Sequence, residues 1–293
     1  HRNEFDLVID EIHAIPFFTP LYVRKAKVAF IHEVADEIWD YMSFFPLNKI
    51  GKYLERVYFF FYKNVPFWTD APSTIFHLER FGIARRQCVA IPCPITNTAL
   101  VKAPHKEKNP TFIFVSRVVK MKGIEEVIKA FSFIVKEEAR ARLWILGGGE
   151  DQYIRKLKDM LGEYNIERSV AFFGKVSEEE KLERMRRAHL LLHASVREGW
   201  GLVVLEAASQ WTPSVVYNVS GLCDVVKDGR TGVVLMHNSP TEMAQAALSL
   251  VSDRKRYAAL QRGGLRWVNS LTWKHATEQS LGLLTRVVKH DAY

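Results

Sequence analysis

The sequence is short of cysteine and of long apolar runs, and both shortages exclude classes of protein. Cys88, Cys93 and Cys223 are its three cysteines, and their spacing fits neither zinc ligands nor a redox pair. We therefore expect a reducing compartment, thiols with structural roles and no metal site. No run of about 18 uninterrupted apolar residues occurs, which argues against a membrane-spanning helix.

The composition is that of a folded chain with an excess of positive charge. Hydrophobic residues make up 48% of the 293 residues, which is enough for one large or two medium domains and excludes a disordered scaffold. The net charge of +8 suits nucleotide diphosphates, acidic lipid headgroups or nucleic acid. The sequence has neither a recognition-helix motif nor an RNA-binding signature with interleaved aromatics, so we expect no nucleic-acid partner.

From Thr111 onward, short β-rich runs alternate with helical patterns, which predicts an α/β fold with a doubly wound parallel sheet. Residues 123–137 have one apolar helical face, formed by Ile124, Val127, Ile128, Phe131, Ile134 and Val135. Ser177 and Glu180 have capping-box spacing and predict the start of another helix.

The first hundred residues differ in character, because strand-like runs flank a long aromatic and basic stretch. A polar segment with two prolines follows and has the composition of a linker. We predict a partial N-terminal Rossmann-like domain over residues 1–104 and a C-terminal one over residues 105–272. The helix predicted within residues 273–293 is compatible with packing on either domain, including back on the first.

Ligands of open α/β sheets bind beyond the carboxyl ends of the strands, where loops and helix N-termini meet. The loops predicted at these ends carry Arg117, Lys122, Gly123, Gly148, Ser195, Glu198 and Gly201. Two cations beside helix N-termini suit a diphosphate. Alternatively, Arg117 and Lys122 are solvated surface charges, but the glycine-rich turns alongside favour the phosphate site.

Two acidic residues bracket an apolar helical run in the stretch REGWGLVVLEA. Glu198 precedes the run and Glu206 lies inside it. Carboxylates accept hydrogen bonds from the vicinal hydroxyls of sugars and riboses. The alternative, an N-terminal acid that interacts with the helix dipole, explains Glu198 but not Glu206, whose neighbours look buried.

These residues resemble the retaining glycosyltransferases of family 4. The resemblance rests on R-x(4)-KG at Arg117–Gly123 and on E-G-W-G-L-x(3)-E at Glu198–Glu206, and it runs through almost the whole chain. It implies a GT-B fold, in which two Rossmann-like domains face a central cleft. It also implies roles: Arg117 and Lys122 on the donor diphosphate, Glu206 on the ribose, Glu198 on the hydroxyls of the transferred sugar, and the N–H groups of Gly201 and Leu202 beside them. Gly123, Gly148 and Ser195 complete the expected donor site.

The N-terminal part is similar to the same family. The run KVAFIHE matches a family strand that ends in a histidine near the donor sugar, which makes His32 a catalytic candidate. His13 is a further candidate, and for either residue the alternative is a structural or surface histidine. The family's opening strand and glycine-rich loop have no counterpart, so about 80 to 100 residues are expected to be missing and the first domain to be incomplete.

The implied activity is transfer of a sugar from a nucleotide-diphosphate donor to an acceptor hydroxyl with retained configuration, by a front-face displacement. GT-B enzymes generally need no bound metal, so we expect no cofactor. A non-catalytic nucleotide-sugar or carbohydrate-binding module and a GT-B sugar-nucleotide epimerase remain alternatives.

The resemblance implies an acceptor hydroxyl on a glycan, a lipid-linked sugar or a small molecule. The stretch from Trp39 to Lys63 mixes aromatic with basic residues, which suits contact with an anionic membrane and equally suits a core helix with a solvated basic face. We expect a cytoplasmic protein, with peripheral attachment to the inner membrane face if that contact forms.

Overall fold

A computed structural model describes residues 4–291 of the chain. The chain folds as two compact units. The first contains residues up to Pro94, the short segment Glu198–Trp200 and the residues from Leu271 onward. The second contains Ile95–Arg197 and Gly201–Ser270.

The first unit is built on a four-stranded parallel sheet with the strands in chain order. Its elements are β1 (Leu7–Ile12), β2 (Ala26–Ile31), α1 (Trp39–Met42), α2 (Leu47–Phe61), β3 (Phe67–Thr69), α3 (Pro72–Arg80) and β4 (Cys88–Ala90). The strand-like runs predicted in this region are therefore all strands. Their core is aromatic: Phe59, Tyr62 and Phe67 are fully buried and pack at ring-centroid distances of 6.1 and 6.2 Å.

The helix α2 is held to the loop before it by a buried carboxylate. Glu55 is 1% exposed and accepts hydrogen bonds from the N–H groups of Ala35 and Asp36 at 2.6 and 2.8 Å. The indole N–H of Trp39 donates to the same carboxylate at 3.0 Å. Burial raises the pKa of Glu55, and the donated hydrogen bonds oppose that rise. Because three donors converge on its carboxylate, Glu55 holds its own side of α2 against the loop and Trp39.

The second unit has six parallel strands in the order β10-β9-β8-β5-β6-β7, which confirms the predicted α/β class. Its strands are β5 (Thr111–Val115), β6 (Arg142–Leu146), β7 (Val170–Gly174), β8 (Leu190–His193), β9 (Ser214–Val216) and β10 (Gly232–Val234). Its helices are α4 (Ile124–Glu137), α5 (Asp151–Tyr164), α6 (Glu178–Arg187), α7 (Leu202–Ser209), α8 (Leu222–Val225), α9 (Pro240–Ser252) and α10 (Arg254–Ser270).

The sheet of the second unit is buried by helices whose apolar faces the sequence predicts. In α4, Ile124, Val127 and Phe131 are fully buried, and Phe131 meets Phe112 of β5 at 6.2 Å between ring centroids. Burial of each such side chain stabilises the folded state by about 1.5–3 kcal/mol, because apolar surface is removed from water. The capping prediction for α6 also matches, since the Ser177 hydroxyl oxygen accepts from the Glu180 N–H at 3.1 Å.

The last helix and the linker belong to different units. The helix α11 (Trp273–Asp291) packs against β2 of the first unit. Residues 95–104, which composition assigns to the end of the first domain, lie with the second unit. There the Leu100 N–H donates to the Ser209 carbonyl at 2.9 Å, and the Trp211 indole donates to the Leu100 carbonyl at the same distance.

Candidate functional site

The loop after β5 carries the two predicted diphosphate ligands. Arg117 is exposed just beyond the strand, and the half-buried Lys122 ends a 3₁₀ turn over Lys120–Lys122. Gly123 then begins α4 in the left-handed region, with φ 72°. A Cβ at Gly123 would overlap the carbonyl oxygen of Ala194, so only glycine allows this approach of the two loops.

Ser195 joins the loop after β5 to the loop after β8. It is fully buried, and its hydroxyl donates to the carbonyls of Met121 and Arg197 at 3.3 and 2.8 Å. The Val196 N–H donates to the same Met121 carbonyl at 2.9 Å. The hydroxyl of Ser195 is thus used inside the protein, and its direct contact with a donor stays a prediction.

The glycine triplet after β6 lies against the same loop. Gly147 has φ 134°, and a Cβ there would overlap the carbonyl oxygen of Ser116. The Val118 N–H donates to the Gly148 carbonyl at 2.8 Å. Beside Gly148 lies Lys175, whose Cε is 2.8 Å from the place that a Cβ would take. Sequence reasoning missed this cation, although its position directly after β7 puts it at the same edge of the sheet.

The helix α7 begins at the predicted donor-binding residues. Gly201 has φ 84° and forms its N-cap, and a Cβ there would lie 3.2 Å from a methyl carbon of Leu222. Leu202 is the first helical residue and is exposed. Free N–H groups at such a helix start favour anions. Glu206 follows in the second turn.

The carboxylate of Glu206 is paired with an ammonium group from α6. The Lys181 Nζ lies 2.8 Å from the Glu206 carboxylate, and the two side chains are 18% and 19% exposed. The same ammonium lies 2.9 Å from the Glu178 carboxylate. Burial opposes the charge of Lys181, but hydrogen bonds to Glu178 and Glu206 outweigh it and raise the pKa of the ammonium. Because α6 and α7 are separated in sequence, no local pattern indicates this pair.

In the first unit, the predicted catalytic histidine lies at the carboxyl end of β2 and is oriented by a carboxylate. The His32 Nδ1 is hydrogen-bonded to the nearly buried carboxylate of Asp70, which immediately follows β3. This bond raises the pKa of His32, burial opposes the rise, and the charges of Asp70, Glu11 and Glu33 add to it. Asp70 is a functional candidate that sequence reasoning missed.

The segment Glu198–Trp200 packs with the first unit, beside His32. A Cβ on Gly199 would lie 3.0 Å from the His32 Cβ, and the Trp200 indole donates to the Cys93 carbonyl at 3.0 Å. Glu198 itself is half-buried and precedes this contact by one residue. The fold therefore places Gly199, the residue after Glu198, beside His32, and a shared role of Glu198 and His32 stays a prediction.

A separate cavity of about 600 Å³ lies in the first unit and contains none of the predicted site residues. It is lined at the amino ends of the strands by Lys27, Pro66 and Arg86, and by Arg286 of α11. Its position is opposite to that of ligand sites in parallel sheets, which open at the carboxyl ends of the strands.

Known proteins resemble this chain in sequence. D-inositol 3-phosphate glycosyltransferase of Stackebrandtia nassauensis is 31% identical over 187 residues, which are 61% of this chain and 42% of that protein. Poly(glycerol-phosphate) alpha-glucosyltransferase of Bacillus subtilis is 32% identical over 146 residues, 50% of this chain and 21% of that protein. The chain thus spans less than half the length of these relatives.

Solved structures show the same fold at low identity. The crystal structure of Anabaena HepE in complex with UDP and glucose superposes on this chain with a TM-score of 0.77 at 15% identity. The match covers 97% of this chain and 78% of the HepE chain. Sucrose-phosphate synthase of Thermosynechococcus elongatus covers 98% with 74% of its own, at a TM-score of 0.80 and 20% identity. Both are GT-B proteins, which confirms the predicted fold.

The family described as glycosyl transferases group 1 matches residues 96–267, more than half of the chain. This segment contains the R-x(4)-KG loop, the glycine triplet and the two acidic residues of the REGWGLVVLEA stretch. The chain belongs to the glycosyl transferases group 1 family.

Proposed function

We propose that this chain carries the donor site of a retaining glycosyltransferase, which moves a sugar from a nucleotide-diphosphate sugar to an acceptor hydroxyl. The observation that carries the proposal is the arrangement of loops at the carboxyl edge of the second sheet. There, loops that only glycine permits present Arg117 and Lys122 beside the start of α4. The relatives' names and the UDP and UDP-glucose in the HepE structures support it.

The diphosphate is assigned to the cations and to helix-start amides. Arg117 and Lys122 lie on one short loop, and the α7 amides at Gly201 and Leu202 supply N–H donors. Gly123 permits close approach of the Ala194 backbone, and the missing Cβ of Gly148 leaves room for the Lys175 side chain. Ser195 serves by holding the loop, since its hydroxyl is bonded within the protein.

The carboxylates are assigned to hydroxyl groups. Glu206 accepts from the ribose, and the Lys181 ammonium, 2.8 Å from its carboxylate, orients it. Glu198 accepts from the transferred sugar, and His32, held by Asp70, lies next to that segment and is assigned to the same sugar. The roles of Glu206, Glu198 and His32 follow the family resemblance, and those of Lys181 and Asp70 follow from their contacts.

The proposed step is a front-face displacement. The bond between the anomeric carbon and the diphosphate oxygen breaks while the acceptor oxygen bonds to the same face of that carbon. The acceptor proton passes to the departing diphosphate, which leaves as a nucleoside diphosphate. Arg117 and Lys122 stabilise the negative charge that develops on the leaving group, so Lys122→Ala should lower turnover more than donor affinity.

The decisive experiment titrates UDP and GDP and their sugars into the chain and then follows donor hydrolysis and transfer. Binding that is lost in Glu206→Ala and weakened in Lys122→Ala supports the donor site; Lys129→Ala, on the exposed face of α4, is the control. Binding without hydrolysis or transfer identifies a binding module, and conversion of the donor to its epimer identifies an epimerase. Equal binding by all variants would refute the site.

Since the cations Arg117 and Lys122 neutralise the leaving group, the proposed transfer requires no metal. Turnover should therefore persist when the protein and donor are incubated with a chelator. Loss of turnover on chelation, with recovery on addition of Mg²⁺ or Mn²⁺, would contradict this part of the proposal.

We also propose that α2 brings the protein to an anionic membrane. The side of α2 opposite Glu55 is apolar and exposed, and its members recur at helical spacing: Leu47, Ile50, Tyr53, Leu54, Val57, Phe60 and Phe61. Before the helix, Phe44 and Phe45 are 91% and 81% exposed. Apolar surface that a monomer leaves uncovered in one stripe marks an interaction site.

Cations accompany this stripe at a spacing that suits a charged surface. Lys49, Arg56 and Lys63 recur every seven residues and are exposed, so they lie along one line of the helix and its end. Basic residues near an anionic bilayer contribute about 1 kcal/mol each. No helix within residues 4–291 is long and apolar enough to cross a bilayer.

Co-sedimentation with vesicles tests the membrane proposal. Vesicles that contain phosphatidylglycerol should bind the chain more tightly than phosphatidylcholine vesicles, and binding should fall about tenfold or more in Lys49→Glu with Arg56→Glu. The charge-matched control is Arg254→Glu with Lys255→Glu, on exposed residues of α10. Failure to bind either vesicle, or equal loss in the control, would overturn the proposal.

A further inference from the structure

Metal-ligating side chains meet at the carboxyl edge of the first sheet, where strand register brings them together. Glu11 and His13 are two residues apart and therefore lie on the same face of β1 and its continuation. The parallel register pairs Ile12 with Ile31, so the next residues, His13 and His32, stand side by side at the ends of the two strands.

The turn after β1 presents His13 to its neighbours. Ala14 has φ 58°, and the Ile15 N–H donates to the His13 carbonyl at 2.6 Å, which closes a tight turn centred on Ala14 directly after the histidine. The rings of His13 and His32 lie 5.7 Å apart between centroids.

The three ligand atoms are within the reach of one ion. The Glu11 Oε1 lies 3.0 Å from the His13 Nε2 and 4.0 Å from the His32 Nε2, and all three atoms lie within 4.8 Å of one another. Ligands at about 2.0–2.2 Å from a tetrahedral Zn²⁺ are separated by somewhat more than 3 Å, so small side-chain rotations suffice.

A carboxylate behind the cluster fixes the orientation that a metal ligand needs. The nearly buried Asp70 is hydrogen-bonded to the Nδ1 of His32, which directs the Nε2 away from Asp70 and towards Glu11 and His13. Histidines that bind metal commonly donate their other ring N–H to a carboxylate in this way. Histidines that merely lie on the surface beside a glutamate need no buried carboxylate behind them, so Asp70 favours a metal site over a chance cluster.

From this geometry we infer that Glu11, His13 and His32 form a binding site for a divalent first-row transition ion, with Zn²⁺ as the representative ion. Two imidazoles and one carboxylate suit Zn²⁺, and three protein ligands leave a position for water. His13 and Glu11 are more than half exposed, so an ion can reach the cluster from solvent.

The ion is inferred to be regulatory, and this consequence rests on the proposed function. Because the Nε2 of His32 would bind the ion, it would no longer be available beside the transferred sugar. Zn²⁺ should therefore inhibit transfer, whereas a chelator should not. The binding of the ion is independent of whether the chain transfers sugar.

The test measures Zn²⁺ binding by calorimetry on chelator-treated full chain. His13→Ala and Glu11→Gln should each lower Zn²⁺ affinity by about tenfold or more, and Asp70→Asn by about 10- to 100-fold. The matched control, His105→Ala, removes an exposed histidine of the second unit and should leave the affinity unchanged. Because His13 is exposed, its removal should not disturb folding.

Co²⁺ provides a second readout of the ligands. Its visible absorption should show a nitrogen and oxygen environment without a thiolate charge-transfer band, and the signal should be lost in His13→Ala. Zn²⁺ affinity that survives in both His13→Ala and Glu11→Gln, or a thiolate band from the cysteines, would overturn the inference. Zn²⁺ binding without measurable transfer by the wild-type chain would leave the site intact and count against the proposed activity alone.

Discussion

The side chain of a single residue, Lys181, fixes the orientation of the Glu206 carboxylate. One oxygen of the Glu206 carboxylate is 2.8 Å from the Lys181 ammonium, and the pair is largely buried. We expect Lys181→Met to weaken binding of a nucleoside diphosphate about 3- to 10-fold, because Glu206 loses the partner that orients it. Glu206→Ala should cost more. Calorimetric titration with UDP and GDP measures both changes.

A matched control separates orientation from mere loss of charge. Glu178 supplies the other carboxylate on Lys181, and its side chain is 65% exposed. Glu178→Gln should therefore change nucleotide affinity little. If Lys181→Met binds as tightly as the wild type, the pair stabilises the fold but has no role at the ribose.

Lys106 predicts a pH dependence of stability in the second unit. Its ammonium donates to the Thr212 hydroxyl at 2.7 Å, and burial lowers its pKa to about 7. Between pH 7 and the ordinary lysine value, the unfolded chain holds a proton that the folded chain lacks. The free energy of unfolding should therefore rise with pH across this range, by on the order of 1 kcal/mol per pH unit.

Urea unfolding at pH 7 and pH 9 measures this effect. Lys106→Met should flatten the rise, because methionine carries no proton in either state. Lys108→Met, at an exposed neighbour, should retain the rise and serves as the control. A rise of equal size in Lys106→Met would assign the pH dependence to another group.

At the scale of elements, Gly123 determines how closely the loop after β5 approaches the loop after β8. Gly123→Ala should destabilise the chain by about 2–3 kcal/mol, since it adds left-handed strain and a clash with the Ala194 carbonyl. Nucleotide binding should weaken with it. Thermal and urea unfolding measure the first effect and calorimetry the second.

Gly162 supplies the matched glycine. It lies inside α5, and a Cβ there would meet only a carboxylate oxygen of Glu167 at 3.5 Å. Gly162→Ala should therefore be neutral or stabilise the chain by up to about 1 kcal/mol. Equal destabilisation by both substitutions would show that the contact at Gly123 is not special.

Elements that bury one regular face were predictable from the sequence. The apolar spacing in α4 and the serine cap of α6 depend on neighbours within a few residues, and both match the structure. The pairing of Lys181 with Glu206, and of His32 with Asp70, depends on elements that only the fold brings together. Periodicity also left α2 ambiguous, because one side carries the buried Glu55 and the other an exposed apolar stripe.

At the scale of the whole molecule, charge alone does not locate the ligand. The chain carries +8, and the cavity lined by Lys27, Arg86 and Arg286 is as basic as the loop of Arg117 and Lys122. Glycine turns and helix N-termini distinguish the second site, since they supply directed N–H groups that lysine and arginine side chains do not. The family resemblance indicated the loop of Arg117 and Lys122 because its motifs include the glycines of these turns.

Hydrogen exchange with and without a nucleoside diphosphate decides between the two basic regions. Bound UDP or GDP should slow exchange at residues 116–123, 147–149 and 201–206, because helix-start amides that bind an anion open less often. The amides around Lys27 and Arg86 should exchange at unchanged rates. Protection confined to those amides, with none at the glycine loops, would move the anion to the amino end of the first sheet and contradict the donor site.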